Sequence, residues 1–115
     1  MAYGDFTLLS GERAMVELLR LEPGIDGVFA ASDLMAAGAM RALRQAGRRV
    51  PEDVAMVGYD DLEVALITDP PLTTVHQPLE AIARAMVGLL MARIAGGAPG
   101  ESVVLANRLV VRGSA

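Results

Sequence analysis

Cysteine is absent from the 115-residue chain, and aromatic residues make up only 3% of it. The lack of cysteine excludes a disulfide framework, a thiol nucleophile and a cysteine metal site. Hydrophobic residues nevertheless make up 53% of the chain, and the mean hydropathy is +0.42. We therefore expect one small domain whose core is built from aliphatic side chains and methionine.

Long apolar runs and excess positive charge are also missing. Charged residues or glycine interrupt every apolar run well before about 18 residues, the length of a membrane span, and residues 1–15 do not read as a secretory signal. The formal net charge is −4, which argues against this chain holding DNA by itself. The absence of cysteine fits a reducing compartment, so we expect a cytoplasmic protein without a membrane partner.

Helical and strand patterns alternate along the chain, which predicts an α/β fold with a parallel sheet flanked by helices. A strand, a helix and a strand within about 30 residues form a βαβ unit with a right-handed crossover. The predicted elements are a helix over 11–21 capped by Ser10, a strand over 27–31, a helix over 34–46 capped by Asp33 and ended by Gly47, a strand over 54–58, a short helix over 62–67, an extended segment over 72–75, a long helix over 78–95, a turn over 96–100, and strands over 102–105 and 108–111.

Polar residues follow both predicted buried strands at the point where each strand ends. Ser32 and Asp33 come after the first, and Asp60 and Asp61 come after the second. Open α/β sheets hold polar ligands at the carboxyl ends of their strands. We therefore predict a small-molecule crevice at this edge, with the two strands as neighbours in one sheet.

The long helix over 78–95 is apolar around most of its circumference. A helix of this kind is usually buried on more than one side. We predict that its excess apolar surface is covered by a second chain, by a swapped element or by the chain's own sheet.

Four segments, in this order and spacing, resemble the lactose-repressor/galactose-repressor family of bacterial transcription regulators. They are Phe29-Ala-Ala-Ser-Asp-Leu-Met-Ala-Ala-Gly-Ala-Met40, Gly47-Arg-Arg-Val-Pro-Glu-Asp-Val-Ala-Met-Val-Gly-Tyr-Asp-Asp61, Pro71-Leu-Thr-Thr-Val-His-Gln-Pro78 and Leu109-Val-Val-Arg112. The resemblance covers nearly the whole chain from about Gly4. It implies a truncated C-terminal subdomain of a periplasmic-binding-protein-like type I fold.

The resemblance also implies how the chain divides. Residues 1–75 correspond to second-lobe elements, 76–106 to a hinge crossing with a first-lobe helix and strand, and 107–115 to a returning strand. The helix-turn-helix headpiece and most of the first lobe are not among these residues. The implied function is effector binding and homodimerisation in a regulator that contacts DNA only through that headpiece.

The roles of single residues follow from the resemblance. Asp60 matches the family's acidic ligand contact, Ser32 a second polar contact, and Phe6 an aromatic residue that stacks on the ligand. The effector would be a carbohydrate or a purine, without any cofactor or metal. Three further residues match cleft-facing positions of the hinge and first lobe: Gln77, Leu79 and Ile82. Five match the dimer interface: Ala37, Met40, Arg41, Leu66 and Ile67.

Plainer readings of these residues stay open. Asp60 and Asp61 are of a residue type that is common in turns, and Ser32 could be an ordinary loop residue. Phe6 could pack in the hydrophobic core, which is the core-plug alternative. Three arginines lie on one predicted helical stripe, namely Arg41, Arg44 and Arg48. They could contact phosphate groups, stabilise the C-terminal end of the helix through its dipole, or simply form a face exposed to solvent.

Two other functions compete with the regulator. A lobe of an extracytoplasmic sugar-binding protein for a transporter would share the fold and the polar strand ends. A hydrolase could use Ser32, His76 and Asp60, which are the residue types of a nucleophilic triad. No Gly-x-Ser-x-Gly motif surrounds Ser32, so we predict no catalysis.

Overall fold

The computed structural model of the protein describes residues 1–97 and 102–115. The predicted α/β class with a mostly parallel sheet is confirmed. The elements in chain order are α1 (Leu8–Leu21), β1 (Gly27–Phe29), α2 (Asp33–Gln45), β2 (Ala55–Asp60), α3 (Val64–Ile67), β3 (Thr73–His76), α4 (Leu79–Ile94) and β4 (Arg108–Val110).

The four strands form one sheet in the order β1-β2-β3-β4, and parallel pairing joins β1 to β2 and β2 to β3. The chain divides into two compact units. The first unit contains residues 1–76 and 109–115, and the second contains residues 77–108. The division into family lobes that the resemblance implies stays a prediction.

Helices α1 and α2 pack against each other with two glycines at the contact. A Cβ atom on Gly38 would collide with the backbone of Leu8, and one on Gly11 would collide with the backbone of Met35. The small residues of α2 therefore allow close approach of the chain's own α1.

The core of the first unit lies where α1 and α2 cover the sheet. Alternate residues of β2 point into it, because Met56 and Gly58 are buried while their neighbours are partly exposed. Its largest fully buried apolar side chains are Met15, Leu43, Val54, Met56 and Leu72. Aliphatic residues and methionine thus fill this core, as the composition predicts.

Ser114 closes the amino-terminal edge of the sheet and is fully buried. Its hydroxyl donates to the Met56 carbonyl at 2.6 Å and accepts from the Thr73 amide at 2.8 Å. Its carbonyl accepts from the Met56 amide at 2.7 Å. The last residues of the chain therefore fix the starts of β2 and β3 together.

Both predicted helix caps on the first unit are wrong. Thr7 caps α1, because its hydroxyl accepts from the Ser10 amide at 3.1 Å, and the helix begins three residues earlier than predicted. Ser32 caps α2 by accepting from the Met35 amide at 3.3 Å, while Asp33 is the first helical residue. The prediction for Gly47 is confirmed, since it follows α2 with a left-handed φ of 70°.

The second unit consists of α4 and an irregular segment. None of the residues of α4 is buried. Residues 102–107 form no strand, so the strand predicted over 102–105 is wrong. Side chains of that segment and of α4 line a groove of about 240 Å³, namely Ile82, Ala85, Met86, Leu89, Val103, Leu105 and Asn107.

The predicted turn after α4 begins at Gly96, which has a φ of 83°. Its continuation over 98–100 lies outside the described residues. Within the described part of the chain, α1, α2, α3 and α4 are all too short or too polar to cross a membrane.

Candidate functional site

The carboxyl ends of the parallel strands meet at one edge of the first unit. Phe29 is in register with Val57, and the Ala30 amide donates to the Val57 carbonyl at 2.8 Å. Asp60 is in register with His76 at the ends of β2 and β3. The prediction that the strands leading to Ser32 and Asp60 are neighbours in one sheet is confirmed.

Two residues at this edge, and one residue before α1, have backbone conformations that L-residues rarely use. Asp60 has a φ of 113° and Asp61 a φ of 62°, and Phe6 has a φ of 66°. No other non-glycine residue in the described part of the chain has a positive φ. Such conformations cost about 1–3 kcal/mol each and cluster at binding and catalytic sites. This pattern singles out two of the predicted ligand contacts, Phe6 and Asp60.

Asp61 binds two cationic or potentially cationic side chains. Its Oδ1 accepts from Arg112 Nη2 at 2.6 Å, and its Oδ2 lies 2.9 Å from His76 Nδ1. The hydrogen bond from Arg112 is the main cause that lowers the pKa of Asp61 below its ordinary value. The plain turn reading of Asp61 is therefore insufficient, because its carboxylate is the centre of an ion network.

Arg112 is held by more than this ion pair. Its Nη1 donates to the Leu72 carbonyl at 2.9 Å, and its backbone amide donates to Thr73 Oγ1 at 2.8 Å. Our sequence reasoning missed the pairing of Arg112 with Asp61, which are 51 residues apart. The available signal was that each residue closes a family-like segment.

Asp33 is fully buried and links three elements. Its Oδ1 accepts from Thr74 Oγ1 at 2.6 Å, and its Oδ2 accepts from the Leu62 amide at 2.7 Å. Gly58 leaves room for this carboxylate, because a Cβ atom there would collide with Oδ1. The carboxylate thus ties the first turn of α2 to β3 and to the loop after β2, which is a larger role than the predicted cap.

Ser32 and Phe6 occupy different environments. Ser32 is buried, and its oxygen accepts from the Met35 amide, which leaves its hydroxyl proton free to be donated. Phe6 is 62% exposed, so the core-plug alternative is wrong. It follows Asp5, whose carboxylate accepts from the Thr7 hydroxyl at 2.6 Å and from the Thr7 amide at 3.1 Å. This turn places the Phe6 ring on the surface immediately before α1.

The remaining three predicted ligand contacts lie in the second unit. Leu79 is exposed in the first turn of α4, Gln77 is half-buried, and Ile82 lines the groove described above. Their contact with a ligand stays a prediction.

The predicted dimer residues lie on α2 and α3. Ala37, Arg41 and Ile67 line a groove of about 250 Å³ at this place. Ile67 is 81% exposed and Leu66 is also exposed. Met40 lines the same groove, although it packs in the core and is only 3% exposed. The part of these five residues in a dimer interface stays a prediction.

The three arginines of the predicted stripe bind the chain itself, although only Arg41 and Arg44 lie on α2, which ends before Arg48. Arg44 Nη2 donates to the Asp69 carbonyl at 3.0 Å, and Arg48 Nη2 donates to the Pro23 carbonyl at 2.9 Å. Arg41 lies 3.7 Å from a Glu12 oxygen. These contacts favour a structural role for the stripe over phosphate binding.

A sheet with polar carboxyl edges, whose chain leaves for a second unit and returns, is typical of periplasmic binding protein-like domains. The family profile described as "Periplasmic binding protein-like domain" matches residues 3–115. The chain belongs to this family.

The relatives identify the branch of the family. The HTH-type transcriptional regulator CelR of Thermobifida fusca is 54% identical over 115 residues, which are 99% of this chain and 34% of that protein. A solved "transcriptional regulator CelR-cellobiose complex" superposes with a TM-score of 0.94 over 98% of this chain and 35% of that one, at 54% identity. The Lac repressor dimer bound to operator and the anti-inducer ONPF gives a TM-score of 0.87 at 34% identity, over 96% of this chain and 39% of that one.

The resemblance to the lactose-repressor family is therefore confirmed. The chain spans about a third of the length of the curated relatives it matches. These relatives are named as transcriptional regulators and not as enzymes.

Proposed function

We propose that this chain is the effector-binding and dimerisation portion of a sugar-responsive transcription regulator. The observation that carries the proposal is Asp60, an acidic residue with a strained backbone at the carboxyl edge of a parallel sheet. A carboxylate in this place accepts charge-assisted hydrogen bonds from ligand hydroxyls. DNA is bound by a headpiece outside these residues, and the intact regulator is cytoplasmic.

The chemistry of the edge suits a carbohydrate. Asp60 supplies acceptors, Ser32 supplies a hydroxyl donor, and the exposed Phe6 ring offers an apolar surface for a sugar face. A sugar hydroxyl can donate to Asp60 while accepting from Ser32. Because CelR has been solved with cellobiose and is 54% identical, cellobiose is the first effector to test.

Gln77, Leu79 and Ile82 complete the proposed ligand contacts by family correspondence. They belong to the second unit, whereas Asp60 belongs to the first. The chain alone is therefore expected to bind the effector weakly or not at all, since residues outside it supply the rest of the cleft. Isothermal titration of these 115 residues with cellobiose checks this, and micromolar affinity would contradict it.

The dimer interface is proposed at the groove of α2 and α3. Ala37 and Arg41 lie on one wall, and the exposed Leu66 and Ile67 extend the apolar surface beside it. Large apolar residues exposed together are typical of interaction sites. The partner is a second copy of the chain, and an Ile67→Arg variant is expected to weaken the dimer of the complete regulator in sedimentation.

A chimera tests the effector proposal directly. The matched third of Thermobifida fusca CelR is replaced by this chain, and cellobiose, lactose and glucose are titrated calorimetrically. We expect saturable binding of at least one of them. Asp60→Asn should weaken it by about 10- to 100-fold, because a hydrogen bond to a charged group contributes about 1.5–3 kcal/mol.

The matched control is Asp53→Asn, which removes a carboxylate of the same unit that pairs with Arg49 on the surface. This variant should bind like the parent chimera. A folded, dimeric chimera that binds none of the sugars would overturn the carbohydrate proposal, whereas undiminished binding by Asp60→Asn would overturn the site.

The transporter lobe is the alternative with the same fold. Its relatives would be binding proteins, whereas those found for this chain are regulators. No observation favours it, and the hydrolase reading gains no support from Ser32, whose oxygen is engaged in capping α2.

A further inference from the structure

The loop after β2 is held on both sides of Asp60. Before it, β2 stays in register with β3 up to the pair of Asp60 and His76. After it, the Asp61 carboxylate binds Arg112 and His76, and the Leu62 amide donates to Asp33. The contacts of its neighbours in the chain therefore restrain the conformation of Asp60.

The partners of Asp61 lie on the two segments that connect the units. His76 is the last residue of the first unit before the chain leaves for residues 77–108. Arg112 lies in the segment that begins when the chain returns at Leu109. One carboxylate thus joins the outgoing and the returning segment within the first unit, at 2.9 Å and 2.6 Å.

Burial distinguishes this network from an ordinary surface ion pair. The side chains of Asp61 and Arg112 are 15% and 17% exposed, whereas those of the Arg84–Glu80 pair are 77% and 87% exposed. Surface pairs are screened by solvent and constrain little. Because Arg112 is also bound to the Leu72 carbonyl, its guanidinium is a fixed anchor for Asp61.

The strained backbone needs such an anchor. A φ of 113° at Asp60 followed by 62° at Asp61 persists only where surrounding contacts over-determine it. The contacts available to do so include those of the Asp61 side chain, which binds the same His76 that is in register with Asp60.

We propose that Asp61 is the positioning residue of the effector site. It holds Asp60 in its strained conformation and links that residue to both segments that connect the units. The inference rests on the function proposed for Asp60 and adds the route by which an effector acts. A ligand that displaces Asp60 changes the contacts of His76 and Arg112, which biases the connecting segments toward one of two arrangements.

The test uses the 115-residue chain without any effector, so it is independent of the sugar titrations. Nuclear magnetic resonance measures the HN–Hα coupling of Asp60, which is small at a φ of 113° and large in extended backbone. It also measures amide exchange at residues 60–62, 73–77 and 109–114. The variants are Asp61→Asn and Arg112→Lys, and the control is Asp53→Asn.

In Asp61→Asn we expect the HN–Hα coupling of Asp60 to rise. Amide exchange in the three segments should accelerate at least about tenfold, which is the factor expected for the loss of one charge-assisted hydrogen bond. Exchange in α1 should stay unchanged. Arg112→Lys keeps the charge but loses the two-pronged contact, so it should show the same local pattern more weakly. It reports on the network even if Asp61→Asn does not fold.

Asp61 has no positioning role if either variant folds and keeps the parental Asp60 coupling and local exchange. A uniform acceleration over the whole first unit would likewise overturn the proposal, because it indicates a general loss of stability. A double variant, Asp61→Asn with Arg112→Lys, should be no worse locally than Asp61→Asn alone, as expected for two groups that act through one contact.

Discussion

Replacing Gly38 by alanine tests the close contact between α1 and α2. A Cβ atom at this position would lie 2.8 Å from the Glu12 backbone nitrogen and closer still to the Leu8 carbonyl oxygen. Both obstacles are helix backbone, which cannot rotate away as a flexible side chain can. The two helices must therefore move apart to accept one methyl group.

The expected magnitude is the difference of two effects. Alanine favours a helix over glycine by about 0.8–1.0 kcal/mol. Overpacking a tight contact costs about 1–3 kcal/mol, and rigid backbone obstacles indicate the upper part of that range. We therefore expect Gly38→Ala to lower the free energy of unfolding by about 1–2 kcal/mol, with a fall in the melting midpoint of at least about 4 °C.

The assay is thermal and urea unfolding followed by circular dichroism. Gly88→Ala is the matched control, because it is also a glycine within a helix but has no atoms within 4 Å of the added Cβ. This control should leave stability unchanged or raise it. If Gly38→Ala stabilises the chain as Gly88→Ala does, the packing argument for α1 and α2 is refuted.

Three more predictions follow from other parts of the molecule. Asp33→Ala should lower the free energy of unfolding by about 2–5 kcal/mol in urea unfolding, because it leaves the buried Thr74 hydroxyl and the part-buried Leu62 amide without their acceptor. Thr74→Val removes only the first of these donors and should cost about 1–2 kcal/mol. Folding lowers the pKa of Asp61, so the ionised Asp61 carboxylate stabilises the folded chain fully above its unfolded pKa of about 3.9, and this contribution is lost as the pH falls further through the folded pKa. In urea unfolding at a series of pH values, Asp61→Asn should therefore reduce the fall in the free energy of unfolding at acid pH. The chain should self-associate through the exposed apolar surface of α4, and Met86→Glu with Leu90→Glu should reduce the mass in light scattering; a monodisperse parent monomer would contradict this.

The alternation of elements and the position of the polar strand ends could be predicted because each depends on local pattern. Apolar runs gave β1 and β2, and the helix between them required that they lie parallel. The same reasoning located Asp60 and Ser32 at one edge. It needed no knowledge of distant residues, since the geometry of a parallel sheet brings the carboxyl ends of neighbouring strands together.

The caps and the ion network could not be predicted because they depend on residues far along the chain. Ser32 and Asp33 are both good capping residues. The Thr74 hydroxyl and the Leu62 amide both donate to the Asp33 carboxylate. Because Asp33 is engaged in this way, Ser32 is the residue that caps α2. Asp61 and Arg112 are 51 residues apart, so their pairing depends on the return of the chain to the sheet at β4.

One other error concerns the strand predicted over 102–105, where residues 102–107 form no strand. A preference for strand structure takes effect only where a neighbouring strand offers packing and hydrogen-bond partners. The sequence of a short segment does not show whether such a neighbour is present.

The contacts of Ser114 have a consequence for folding. One residue bridges the starts of β2 and β3, although it lies 41 positions after Thr73 and 58 positions after Met56 in the chain. Contacts between residues so far apart in sequence form slowly, because a long loop must close first. We therefore expect the amino-terminal end of this sheet to become ordered late in folding.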